Sequence, residues 1–246
     1  MAGDRRVAPR DDAAEAIESY IAINNLQPGD RLPADRELAQ LCQVSRSTVR
    51  TAIRHLTDAG RLRVRQGSGT FVAAPKLVRN LQTMELMSLV CQRQGSTLST
   101  SVLSSSVIPA NKQIGRVLKL TLGHPVFFLY RMRSADHQPI LTEMSYIDYE
   151  RCPGIELIDF TRCSLYDIMR NQFDLDVCRG IETIGVTYPT DSEAELLGVG
   201  LHTAMFYLSG TADTHDIVPV EYFKSVVRAD MIKFSSQLRL KEDIPS

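Results

Sequence analysis

No stretch of this chain approaches the roughly 18 consecutive apolar residues that a membrane-spanning helix needs. No apolar segment marks its N-terminus either, so nothing reads as a secretory signal. Cysteine is sparse: five residues (Cys42, Cys91, Cys152, Cys163, Cys178), an odd number without C-x-x-C spacing, which argues against a disulfide framework. The five histidines (His55, His124, His137, His202, His215) show neither H-x-H nor H-E-x-x-H spacing. Cys163 stands beside Ser164 but has no nearby histidine or glycine-rich elbow to activate a nucleophile. These absences leave no catalytic residue, metal site or cofactor to assign. The expectation is a soluble cytoplasmic protein of a reducing compartment, with no membrane partner.

What is present points elsewhere. With 246 residues and 43% apolar content, the chain is long enough for one large or two modest packed domains. Its formal net charge is only −1, but the charge is unevenly placed. Residues 1–75 carry 11 Arg against 9 acids, and the remainder 17 Lys/Arg against 20 acids. Between Arg46 and Lys76 seven cations (Arg46, Arg50, Arg54, Arg61, Arg63, Arg65, Lys76) meet one acid, Asp58. A local excess of that kind suits a polyanion, because cationic side chains gain affinity by releasing the counterions condensed on phosphate.

The pattern around those cations is that of a winged helix-turn-helix. Residues 11–25 hold apolar residues at helical spacing behind Asp11 and Asp12 as caps, and Pro28-Gly29 ends the pattern. A short helix follows at 34–42, then a turn at Gln43–Val44 and a third helix from Ser45 or Arg46 to about Ala59. In the third helix Val49, Ile53 and Leu56 face the core, while Arg46, Ser47, Arg50 and Arg54 form a separate stripe. Residues 61–65 and 70–73 read as strands around the glycine-rich turn Gln66-Gly67-Ser68-Gly69, a wing. Residues 74–83 read as a linker. Beyond it the pattern is mixed, with helices near 84–93, 111–120, 164–172 and 191–198 and six strand-like runs between 99 and 227. An internal echo joins 117–129 to 196–208 at an offset of 79: Leu118/Leu197, Leu122/Leu201, Phe127/Phe206 and Leu129/Leu208. It suggests one compact domain of duplicated design.

Residues Leu26-x-Pro28-Gly29-Asp30-x-Leu32-Pro33, Leu38-Ala39, Val44-Ser45-Arg46-x-Thr48-Val49-Arg50 and Gln66-Gly67-x-Gly69-Thr70-Phe71-Val72 resemble the winged-helix domain of GntR-type bacterial transcription factors. The C-terminal part resembles UTRA, the effector-binding domain of the HutC-like subfamily. The matching pieces are Leu122-Gly123-x-Pro125-Val126, Arg131-x-Arg133, Pro139-Ile140, Glu143, Pro153-Gly154, Ser164-Leu165-Tyr166, Leu196-Leu197-Gly198-Val199, Val220-Glu221-Tyr222 and Arg228-Ala229-Asp230. It departs near the end, where Val227 replaces a frequent aromatic and Met231-Ile232 a common Arg-Tyr pair, which puts a difference on one side of the ligand pocket. The resemblance implies an α+β chain: a winged helix-turn-helix (1–73), the linker (74–83), and a chorismate-lyase-like antiparallel-sheet domain (84–246) for effector binding and dimerisation.

It also implies site residues. An Arg at the start of a recognition helix reaches guanine bidentately, and Ser and Thr hydroxyls bind phosphate. Arg36, Ser45, Arg46, Ser47, Thr48, Arg50, Gln66 and Gly67 are the expected DNA contacts, although Ser45 also reads as a plain helix cap. For the effector, Arg131 and Arg133 project from one face of a strand and suit a phosphate or carboxylate. Ser164 and Tyr166 open a helix whose free N–H groups favour an anion. Glu143 and Glu221 would accept hydrogen bonds from hydroxyls or an amine. Ser164 with Asp167 also reads as an ordinary capping box, and either arginine as the partner of Glu143 or Glu221 in a structural ion pair. The expectation is a homodimeric, ligand-controlled regulator, most often a repressor, reading a pseudo-palindromic double-stranded DNA operator. Its effector would be a sugar or amino-sugar phosphate, with a small carboxylate such as urocanate as the alternative. An enzyme acting on an aromatic acid is the alternative of another class.

Overall fold

The computed structural model describes residues 9–65, 67–216 and 218–238, with the backbone alone for 9–11. They fall into two compact units that meet in sequence between Lys76 and Leu77. No helix among the described residues is long and apolar enough to cross a membrane.

The first unit carries α1 (Pro9–Ile23), α2 (Asp35–Leu41) and α3 (Arg46–Asp58), then an antiparallel hairpin of β1 (Leu62–Arg65) and β2 (Gly69–Val72). α1 is described from Pro9, so Asp11 and Asp12, expected as caps, lie within the helix. On α3, Val49, Ala52, Ile53 and Leu56 are buried and close against Ala13 and Ile17 of α1 and Leu38 of α2. The turn between α2 and α3 is made by Gln43 in the left-handed conformation, φ 53°. Leu62 joins the same core, and Phe71 bridges to Arg31, fastening the hairpin to the loop before α2.

The second unit is a duplication. Its first half runs α4 (Met87–Arg93), β4 (Leu98–Pro109), α5 (Lys112–Leu118), β5 (Pro125–Ala135), β6 (Gln138–Asp148). Its second half runs α6 (Leu165–Phe173), β7 (Val177–Thr187), α7 (Asp191–Leu197), β8 (Met205–Thr214), β9 (Pro219–Arg228). The offset of 79 carries Lys112–Leu118 onto Asp191–Leu197, and it aligns all five elements, so the echo legible in sequence is the visible part of a longer repeat. The strands form one antiparallel six-stranded sheet in the order β4-β5-β6-β9-β8-β7, with the two halves meeting at β6 and β9. α4 and α6 pack on one face of the sheet, and α5 and α7 on the other.

The linker expectation is also corrected. Within the stretch read as a linker (74–83), Leu77–Asn80 form a strand, β3, that pairs in parallel with β10 (Ile232–Ser235), a strand the sequence also did not announce. Leu77 and Ile232 are buried together. A four-residue strand is too short to show a period, and its partner lies at the far end of the unit. The connection is therefore shorter than expected: ordered structure of the second unit begins one residue after Lys76.

Candidate functional site

Two surfaces carry the expected chemistry, one in each unit. In the first, Ser45 ends the turn and caps α3, its Oγ accepting from the N–H of Thr48 at 3.2 Å and lying 2.7 Å from Ser47 Oγ and 2.8 Å from Thr48 Oγ1. The cap reading of Ser45 is therefore real, and it gathers three hydroxyls at the start of the helix. Arg46, Ser47, Arg50 and Arg54 are exposed, on the side opposite the buried stripe. Arg50 donates from Nε to the half-buried Asp35 on α2 at 2.9 Å while its own side chain stays exposed, so this pair orients the guanidinium without removing it from solvent. Arg36 is exposed beside it on α2. In the wing, Gly67 sits at φ 74° with open space where a side chain would project, which allows close approach of a backbone. Arg65 lies over the Phe71 ring at 4.9 Å. Gln66, expected beside Gly67 at the tip, lies outside the described residues.

In the second unit the sheet face under α4 and α6 changes character along its strands. β5 presents Phe127, Leu129, Arg131 and Arg133; β6 presents Leu141, Glu143, Ser145 and Ile147; β9 presents Glu221, Phe223, Ser225 and Val227. Phe127, Leu129 and Ile147 pack under α6, and Leu141 and Val227 under α4. The polar positions fall between these two apolar clusters. There the helix starts leave a cavity of about 770 Å³, within the range of small-molecule sites. Arg131, Arg133, Glu143, Ser164, Tyr166 and Glu221 all line it, so the six expected residues share one cavity. Arg79 on β3 and Glu182 on β7 line it too, 2.9 Å apart as an ion pair. Sequence reasoning missed both: Arg79 lay in the presumed linker, and Glu182 in a strand without a polar pattern.

The charges are unbalanced at one corner. Arg131 stands opposite Glu143 across the β5–β6 ladder and donates to it, and Arg133 Nη2 is 3.7 Å from the same carboxylate. One anion thus faces two guanidiniums. Burial works to raise the Glu143 carboxyl, yet Arg131 and Arg133 together hold it below the ordinary carboxylate range. Burial lowers the Arg133 guanidinium, and Arg131 adds to this against the opposing effect of Glu143. The Nε atoms of both arginines are buried and reach no acceptor among the described residues. Glu221 accepts from the Tyr166 hydroxyl at 2.6 Å. Its carboxyl is raised, chiefly by burial and then by Glu143, and burial with Glu221 raises the Tyr166 phenol. Ser164 caps α6, accepting from Asp167 N–H at 3.4 Å, and lines the cavity as well, so the cap and the wall share one residue.

Two family models match the chain. Residues 9–72 match the bacterial regulatory proteins of the gntR family, and residues 93–233 match the UTRA domain. The chain belongs to the GntR family and carries a UTRA domain. It is a DNA-binding transcriptional regulator and not an enzyme. It is 31% identical over 208 residues to the uncharacterized HTH-type transcriptional regulator YurK of Bacillus subtilis (strain 168), covering 85% of this chain and 86% of that one. It is 31% identical over 219 residues to the HTH-type transcriptional repressor PhnF of Mycolicibacterium smegmatis, covering 89% and 88%. The HTH-type transcriptional repressor NagR of Bacillus subtilis is 28% identical over 222 residues, covering 89% of this chain and 90% of NagR. The crystal structure of PhnF from Mycobacterium smegmatis superimposes with a TM-score of 0.68 at 30% identity, over 92% of this chain and 99% of that one.

Within the UTRA domain, the Arg-x-Asp motif near the end holds the fold together and does not line the cavity. Arg228 is 2% exposed and grips Asp230 through Nε at 3.0 Å and Nη2 at 2.5 Å, while Nη1 donates to the carbonyls of Pro139 (3.1 Å) and Leu197 (3.3 Å). It ties the end of β9 to the β5–β6 hairpin and the end of α7. Val227, the aliphatic departure from the family pattern, does line the cavity, so the smaller side chain stands on its wall.

Proposed function

We propose that this GntR-type regulator is a repressor, released from its operator when a small anion binds in the UTRA cavity, and that the anion is a phosphorylated sugar or amino sugar. The observation that carries the reading is the corner where Arg131 and Arg133 share Glu143 as their one ion-pair partner among the described residues, with the Glu221 carboxyl, itself raised by burial, on the adjoining wall. Arginine forks bind phosphate bidentately, and a desolvated excess of positive charge is relieved by an anion. Glu221 and Tyr166 on the adjoining wall supply acceptors and a hydroxyl for the polar remainder of such a ligand, and Ser164 adds an anion-facing hydroxyl at the helix start. The names of PhnF and NagR, both repressors, support repression.

On DNA, Arg46, Ser47, Thr48 and Arg50 would enter the major groove at the start of α3, with Ser45 shaping that start and Arg36 on the flanking backbone. Gly67 and Gln66 at the wing would approach the backbone or minor groove. A homodimer reading a pseudo-palindrome follows from the two-fold logic of helix-turn-helix operators.

The test is thermal denaturation of the full chain against sugar phosphates, amino-sugar phosphates and small carboxylates. A phosphate ester should stabilise the protein, and Arg133→Ala should abolish the effect. A response to carboxylates alone, urocanate among them, would overturn the sugar-phosphate assignment and favour the carboxylate one.

A further inference from the structure

The Arg79–Glu182 pair is set apart from the rest of the cavity by what it is attached to. β3 is the first element of the second unit, starting one residue after Lys76. It is short, and it is held by β10 and by Gln94, which donates to Val78 O at 3.0 Å and accepts from Val78 N at 2.9 Å. Arg79, the next residue, lies over the Phe234 ring of β10 at 5.8 Å and extends to Glu182, so the ion pair ties β3 to the edge strand β7 of the large sheet.

This pair differs in character from Arg131–Glu143. The side chains of Arg79 and Glu182 are 19% and 21% exposed, whereas that of Arg131 is 3% exposed. A partly solvated pair on a short strand exchanges partners more readily than a buried one in the middle of a sheet. Arg79 also lies close enough to Glu143 to act on its carboxyl, which places it within reach of the charge at the arginine corner.

We propose that Arg79 is a further arginine of the effector site and the one that reports occupancy. An anionic group in the cavity draws Arg79 from Glu182, and β3, which continues directly into the DNA-binding unit, is released with it. The ligand-induced step rests on the reading that the cavity takes an anion; the role of the latch in the ligand-free protein does not. A ligand shifts an equilibrium only through its differential contacts with the two states. Here that difference is the exchange of Glu182 for the ligand as the partner of Arg79.

The experiment uses the full-length chain and a DNA fragment that it selects from a random-sequence library. Without any ligand, Arg79→Ala and Glu182→Gln should each weaken binding to that fragment by about fivefold or more, the lower end of ordinary allosteric coupling. Hydrogen exchange should accelerate at residues 77–81 in both variants. Arg170→Ala, which breaks the exposed ion pair between Arg170 of α6 and Asp176 beyond its end, should do neither. With glucosamine 6-phosphate as the probe, Arg79→Ala should keep a thermal shift while its DNA affinity stops responding. The proposal is overturned if both latch variants fold and bind the fragment as tightly as the parent chain. It is equally overturned if Arg79→Ala binds the probe and still loses DNA to the full parental extent. If no phosphate ester acts on the parent chain, the anion assignment falls, and the ligand-free affinities still decide the latch.

Discussion

Replacing Glu143 by Gln separates the two roles of the arginine corner, because it removes charge while keeping shape and one acceptor. Arg131 is buried with its side chain 3% exposed, and its carboxylate partner is Glu143. Removing one member of a buried pair costs about 3–5 kcal/mol; the retained amide oxygen places this variant near 3. For a unit of this size each kcal/mol moves the melting temperature by roughly 2–4 °C, so the UTRA domain should melt about 6–12 °C lower. The same substitution removes the anion that competes with a ligand for both guanidiniums. A unit charge about 4 Å away interacts by about 4 kcal/mol at an effective dielectric of 20, so a tightening of at least about tenfold, near 1.4 kcal/mol, is a modest expectation. The assay is the melting temperature of parent and variant across a titration of inorganic phosphate. Phosphate at about 100 times its dissociation constant returns roughly 2.7 kcal/mol, enough to recover most of the loss. If Glu143→Gln melts low and phosphate does not recover it, the corner is a structural ion pair and not an anion site.

Three further outcomes follow from the geometry. Glu221 has a raised carboxyl, so the folded state binds its proton more tightly than the unfolded state; its favourable contribution is complete below about pH 4.5 and is lost as pH rises through the folded value. Glu221→Gln lacks that loss, so in urea unfolding from pH 5 to 8 the variant should gain on the parent chain as pH rises, and a pH-independent difference would refute the assignment. Arg228→Ala removes the donor to the carbonyls of Pro139 and Leu197 and should cost about 1–3 kcal/mol for each with no specific effect on ligand affinity once folded, measured by calorimetry. Gln43→Gly relieves a left-handed turn at φ 53° and should stabilise the first unit by about 1 kcal/mol, read as a higher denaturation midpoint; a lower midpoint would mean that the Gln43 side chain supports the turn.

The winged helix-turn-helix was legible, the start of α1 excepted, because its signals are local. Ser45 caps within one turn, Val49, Ile53 and Leu56 bury at helical spacing, and the glycines mark the wing. Four of the six expected cavity residues were legible for a related reason: Arg131 and Arg133 share a strand face, and Ser164 and Tyr166 share a helix start, so each pair is set by one element's geometry. The repeat was legible only where apolar positions recur. Where the first half has Arg131 and Arg133, the offset of 79 leads to Gly210 and Ala212, so the charge pair stands on one half alone and no repeat pattern points to it.

The sequence by itself determined the winged helix-turn-helix, the strand face that Arg131 and Arg133 share and the cap at Ser164, because periodicity, caps and charge act within a few residues. Only the tertiary structure decided that both arginines share Glu143, that Arg228-x-Asp230 holds the fold instead of lining the cavity, and that the stretch read as a linker contains a strand whose Arg79 meets Glu182. Those pairings join residues far apart along the chain, and the partner a buried charge finds is set by how the sheet closes.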